Sequence, residues 1–296
     1  MKIIEPNVTE VTDFEGVDNF YKAVARAARI CYASDKTTDD KKLVERLIES
    51  KHFSPFEHAI LYLKKVPYND IGNETVGLIY KKIIENKYTL ECMNFINQKS
   101  EKEEYYAING RIIIEILLQE AKFWDMDLIR MLDVFLENLF TALCYETNEY
   151  SKYFRSFIVD TSIGCTREMN RHHNNFYICE QSTRYCNFSK DKFGNEVAFN
   201  KPYWYDEADN YWRRGWERAM QHQSARYCNA VDKDGFNVST DIARGLLPLD
   251  THTRAIYTAT VKEWQHIIDL RLKGTTGKPH GDIKVIAEKI QKLIYK

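Results

Sequence analysis

The stretch RHHNNFYICEQSTRYCN, Arg171 to Asn187, decides how the rest of the chain is read. It gathers Arg171, His172, His173 and Arg184 around one acid, Glu180, and Arg167 and Ser182 add two further donors close by. Guanidinium forks, imidazoles and a hydroxyl are the groups phosphate recognition needs, each charge-assisted bond contributing roughly 1.5–3 kcal/mol. A metal cluster is the competing chemistry. His172 and His173 are adjacent, however, and Cys179 and Cys186 are far apart, so neither pair has a zinc-site spacing, and the neighbouring arginines repel a cation. No metal is therefore expected. A plain structural rim is the third reading, and it weakens as the donors accumulate. These residues alone leave the identity of the anion open.

The tail of the stretch, QSTRYCN at 181–187, returns as QSARYCN at 223–229. The second copy has no RHH before it, and there is no third, so a repeat architecture is not supported. It reads as helix packing.

Working outward, the 296 residues are enough for one large core, and 44% hydrophobic with 29% charged residues describes a globular chain. Forty-two basic and 43 acidic residues nearly cancel, so nothing draws the whole chain to nucleic acid or an anionic membrane. Any anion site must be local. The most apolar run, IIIEILL at 112–118, is too short to span a bilayer and contains Glu115. Seven scattered cysteines suit reduced thiols in a cytoplasmic setting.

Periodicity predicts helices over 18–31, 39–50 and 205–229, the last with Trp212, Trp216, Ala219, Met220 and Tyr227 on one face. Residues 59–66, 153–162 and 251–260 read as extended. STDIARGLLP at 239–248 opens with helix-capping residue types and stops at Pro248. A final helical pattern puts Arg271 on the same stripe as Trp264, Ile267 and Ile268, a placement that is costly without a partner. The expected architecture is one α/β (α+β) domain over 1–296, a central sheet flanked by helices, with a helical insertion or cap at about 67–150.

The stretch resembles the signature of flavin-dependent thymidylate synthases (ThyX): Arg-His-Arg, seven or eight residues, Ser, then Arg-Tyr. Here it runs Arg171-His172-His173, eight residues, Ser182, Arg184-Tyr185. AVARAARICY (23–32), HFSPFEH (52–58), DIARGLLPLDTHTRAIYTAT (241–260) and DLRL (269–272) are similar to further family blocks in family order, and YAINGRIIIE (106–115) is similar to a block of a longer branch. The resemblance implies conversion of dUMP to dTMP. Methylenetetrahydrofolate would donate the carbon, and FAD reduced by NADPH the hydride, in a homotetramer with shared active sites and a sheet-and-helix fold.

By position it assigns Glu168, Ser182, Arg184, Arg244 and Arg271 to dUMP, with Arg271 also catalytic at the uracil carbonyl. It assigns His52, Ser54, Glu57, Arg171, His172, His173, Glu180, Thr260, Lys262 and His266 to FAD. Two competing readings stay open: Arg244 paired with an acid near its helix, and Arg271 as a buried ion-pair partner. His173 stands where the family has arginine, exchanging a permanent charge for a switchable one. Cys31, Cys179, Thr260 and Lys262 are further departures on the flavin side. Nucleotide binding is thus the better-supported half. A pyrimidine C5 hydroxymethylase and a non-catalytic dUMP-binding homologue are the alternatives.

Overall fold

The sheet that carries the signature forms where runs of β-branched and aromatic residues meet capped helices on one side. A computed structural model of the chain describes residues 1–34, 38–67, 69, 71, 73–86, 90–96, 102–123, 125, 127–142 and 153–295. The chain divides into two compact units. One comprises Met1–Glu10, Arg29–Asp35 and Phe157–Lys296; the other comprises Val11–Ala28 and Lys36–Ser156. The second unit takes in the region read as an insertion, about 67–150, together with residues on either side of it.

The N-terminal residues supply β1 (Ile3–Ile4), β2 (Asn7–Val11) and α1 (Phe20–Tyr32), and the last turn of α1 belongs to the first unit. The second unit then runs through α2 (Asp40–Glu49), a 3-10 turn at Ser54–His58, β3 (Ile60–Lys64), α3 (Glu74–Ile84), β4 (Leu90–Ile96), β5 (Lys102–Asn109), α4 (Gly110–Phe123) and α5 (Leu128–Ala142). Asp39 caps α2 by accepting from Lys42 N at 3.2 Å, and Pro55 pre-sets the turn that follows. Three strands pair antiparallel in the order β3-β5-β4, so the region read as helical insertion contains a sheet as well. Pairing of that kind is set by distant partners rather than by local pattern. Gly110 opens α4 because a side chain there would meet Phe20 and the Phe56 carbonyl at 2.8 Å.

The first unit continues with β6 (Phe154–Ser162), α6 (Ile163–Met169), β7 (Phe176–Glu180), β8 (Phe199–Asn200), α7 (Asn210–Val231), α8 (Thr240–Ala243), β9 (His252–Thr260), α9 (Val261–Arg271) and α10 (Gly281–Ile294). Its main sheet has the order β2-β6-β9-β7, with β7 and β9 antiparallel and Phe176 opposite Ala259, Glu180 opposite Ala255. Ser162 ends β6 and caps α6 by accepting from Cys165 N at 3.1 Å. Asn175 takes a positive φ of 50° in the loop leading to β7, a conformation asparagine tolerates.

Trp264, Ile267 and Ile268 of α9 and Ile283, Ile286 and Ile290 of α10 pack into a core with Phe157, Phe176 and Tyr257 of the sheet. Trp264 is fully buried, edge-on to Phe157 at 5.0 Å and to Phe176 at 5.4 Å. Burying such a side chain contributes roughly 1.5–3 kcal/mol, so this contact fixes α9, and with it Arg271, against the sheet. A second cluster joins Trp216, Met220 and Tyr227 of α7 to Phe188, Val197 and Phe199. Trp212, expected on that apolar face, is instead 56% exposed. No described helix is long and apolar enough to cross a membrane.

Candidate functional site

The signature residues fall into two groups around α6. The first group lines an open cavity of about 660 Å³. β7 ends at Glu180 and the chain turns through 181–187, held by Ser182 N donating to the Cys31 carbonyl at 2.9 Å. Ser182 Oγ accepts from Arg184 N at 3.3 Å, which leaves the hydroxyl proton to donate elsewhere. Arg184 and Arg244 both line the cavity, together with Arg167 and Ser182. One acid, Asp241, serves both arginines, at 2.8 Å from Arg184 Nε and 3.8 Å from Arg244 Nε. The competing reading of Arg244, an acid near its helix, is thus realised, and Arg184 shares the same acid. All three side chains are about half exposed.

The floor of the cavity is polar and ordered. Glu180 accepts from Thr166 Oγ1 at 2.8 Å, Thr253 Oγ1 at 3.2 Å and Asn170 Nδ2 at 3.3 Å. Asn170 in turn accepts from the buried Tyr257 hydroxyl at 3.1 Å. Burial raises the Glu180 carboxyl above its ordinary value in spite of these donors. Glu180 was assigned to the flavin; it lies on the same cavity as the residues assigned to the nucleotide. Thr166, Arg167, Asn170 and Asp241 were not assigned from sequence. Only Arg167 had a signal there, as one of the accumulated cations.

The second group is a closed knot behind α6. Arg271 Nη1 is 3.3 Å from Glu168 Oε2, and Nη2 donates to the Glu168 carbonyl at 3.2 Å. The partner that an arginine on an apolar stripe requires is therefore Glu168, and the ion-pair reading of Arg271 is realised. Arg271 Nε also donates to His172 Nε2 at 3.4 Å, and His172 Nδ1 lies 3.6 Å from Glu263 Oε1. Burial, with Arg271, His266 and His173 nearby, pushes the His172 imidazole down to about 4. Burial also raises Glu263. Neither Glu168 nor Arg271 lines the cavity.

His172, Glu263 and His266 bring one potential ligand atom each within 4.8 Å of one another. The second nitrogen of a metal-bound histidine ordinarily donates to an acceptor. Here Nε2 of His172 faces the Arg271 donor, so the polarity of the knot is wrong for a cation.

The remaining flavin-assigned residues divide between the units. Arg171, His173, Lys262 and His266 are exposed in the first unit. Thr260 is buried and accepts from Glu263 N at 3.2 Å, so its oxygen caps α9. Cys31 and Cys179 are neighbours, and the Cys179 thiol holds Cys31 below the usual thiol range. His52 and Ser54 are exposed in the second unit, where Glu57 pairs with Arg111 of the YAINGRIIIE block at 2.8 Å.

The blocks at 23–32, 52–58, 171–185, 241–260 and 269–272 fall within one family model, Thy1, described as "Thymidylate synthase complementing protein", which matches residues 15–66 and 145–296. The chain belongs to this family. The break in the match falls on the region read as an insertion.

Among curated relatives, the chain is 27% identical over 137 residues to a probable flavin-dependent thymidylate synthase of Paramecium bursaria Chlorella virus 1, covering 44% of this chain and 62% of that protein. It is 31% identical over 87 residues to the flavin-dependent thymidylate synthase of Synechocystis sp., covering 29% of this chain and 39% of that protein. The chain thus spans less than two thirds of the length of each of these relatives. Among solved structures it is similar at 17% identity and a TM-score of 0.42 to a UMP/dUMP methylase PolB from Streptomyces cacaoi bound with 5-Br dUMP, over 99% of this chain and 91% of that one. Family membership rests on the family model rather than on this remote likeness.

Proposed function

We propose that the protein methylates dUMP to dTMP, with methylenetetrahydrofolate as carbon donor and FAD, reduced by NADPH, as the source of hydride. The observation that carries the reading is the cavity, whose cations and ordered acid come from the matched family blocks. Ser182, Arg184 and Arg244 hold the phosphate, because all three line one opening and the two arginines have only the half-exposed Asp241 as their ion-pair partner there. Glu180, fixed by Thr166, Thr253 and Asn170, supplies a directional acceptor for the base or sugar.

Arg271 is the family's assigned group at the uracil carbonyl. Its guanidinium is held by Glu168, which keeps its charge close to the place where charge would develop on the ring. For that role a proton-bearing nitrogen of Arg271 must turn from His172 or Glu168 to the substrate.

FAD is tested against the donors the unit offers. Arg171 and Lys262 are exposed cations and His173 and His266 are exposed imidazoles, donor groups suited to a pyrophosphate. The donor set therefore fits a dinucleotide. When bound, FAD supplies the reducing equivalents; these four residues bind its charged portion, and Thr260 keeps α9 capped beneath them. The flavin assignment of His52, Ser54 and Glu57 rests on the resemblance, as do the homotetramer and the folate and NADPH partners.

The test is the visible spectrum of purified protein with and without added FAD, followed by mass spectrometry of the product from dUMP. A flavin spectrum and a product heavier by one methyl group are expected. A product carrying a hydroxymethyl group would make the protein a C5 hydroxymethylase. Absence of a flavin spectrum after incubation with FAD and removal of the unbound excess, with dUMP recovered unchanged, would overturn the enzymatic reading.

A further inference from the structure

Arg184 and Arg244 are both drawn toward a single oxygen, Oδ1 of Asp241. Asp241 stands one residue into α8, and Thr240 beside it donates its hydroxyl to the Arg184 carbonyl, so α8 is tied to the 181–187 turn. Two cations that share one carboxylate carry a net charge of +1. That is too little to hold a doubly charged phosphate well, while the shared carboxylate offsets the repulsion between the two guanidiniums. We propose that Asp241 is a stand-in anion, a specificity-determining residue that occupies the phosphate seat until a dianion displaces it. The proposal rests on the nucleotide reading above and adds to it the means of discrimination.

Both ion pairs are half exposed, and exposed pairs of this kind contribute little, so a ligand can open them. A phosphate monoester dianion offers three oxygens and about two charges, and accepts bidentately from each arginine, which a carboxylate cannot do for both at once. A singly charged ligand gains little over the resident carboxylate. The seat therefore favours a terminal phosphate over a carboxylate or a phosphodiester, both of which carry a single charge. The class of ligand selected is the nucleoside monophosphate.

The experiment is isothermal titration of the full chain and of Asp241→Asn with three probes: dUMP, deoxyuridine and inorganic phosphate. Asp241 is exposed, and asparagine keeps its shape, so thermal melting serves to confirm that the variant is folded. For the variant, affinity for dUMP and for inorganic phosphate should rise about two- to thirtyfold, the range set by losing two exposed pairs, with deoxyuridine unchanged. Equal or weaker phosphate binding by Asp241→Asn would overturn the proposal, because Asp241 would then be ordering the arginines rather than competing for them. If neither protein binds dUMP while the variant still binds inorganic phosphate more tightly, the stand-in role holds and the nucleotide reading fails.

Discussion

QSTRYCN at 181–187 and QSARYCN at 223–229 are nearly the same seven residues in two unlike settings. In the first, the chain leaves β7 and turns: Ser182 and Arg184 line the cavity, and Tyr185 is 60% exposed. In the second, the residues lie on α7: Ser224 accepts from Val197 N at 3.0 Å, Arg226 is exposed, and Tyr227 is fully buried. Identical side chains thus line a cavity in one place and serve a helix and its packing in the other. Local backbone form decides which, because a turn aims successive side chains apart while a helix directs every third or fourth into the core.

The sharpest way to break this comparison is at the tyrosines. Tyr227→Ala should cost about 3–4 kcal/mol of stability, since it opens a cavity beside Phe188 and Cys186, whereas Tyr185→Ala should stay within about 0.5 kcal/mol. Urea unfolding of the two variants measures the difference, and equal losses would contradict it.

The arginines invert the ranking. Arg184→Ala should weaken dUMP binding about ten- to a hundredfold, the worth of one charge-assisted contact, and Arg226→Ala should leave it unchanged, as read by titration calorimetry.

The RHH that precedes only the first copy gives a third contrast. His172 titrates at about 4 in the fold against an ordinary 6.5. The unfolded chain therefore takes up a proton that the fold resists, and stability falls as pH drops below about 6.5, levelling off below about 4. The contribution is on the order of 2–3 kcal/mol over that window. His172→Asn should flatten this slope in unfolding curves recorded between pH 7 and 4. An unchanged slope would show that other groups, such as His252, which burial also lowers to about 4, account for it.

The smallest effect belongs to the serines. Ser224→Ala leaves the buried Val197 N–H without its acceptor and should cost roughly 1–2 kcal/mol, while Ser182→Ala should act on nucleotide affinity and hardly on stability.

What was legible in the sequence follows from the same contrast. The stripe of Trp264, Ile267, Ile268 and Arg271 specified α9, including the need for a partner to Arg271, because its period is local. The partner itself, Glu168, was assigned to the substrate instead; only the fold brings α6 against α9. β9 and β6 were readable as extended runs. β7 was not, since Phe176–Glu180 alternates poorly between buried and partly exposed positions. Trp212 matched a helical period that its surroundings do not cover. Asp241 and Glu263 escaped notice because an acid in a helical segment carries no signal until its neighbours are known. The cations were visible by their accumulation; the acids that hold them are a tertiary property.

The most direct test of the central claim is a crystal structure of the protein soaked with dUMP. The account predicts the phosphate within hydrogen-bond distance of Ser182, Arg184 and Arg244, with Asp241 turned away. Phosphate density at Arg171 and Lys262 instead, with the Asp241 pairs intact, would contradict it.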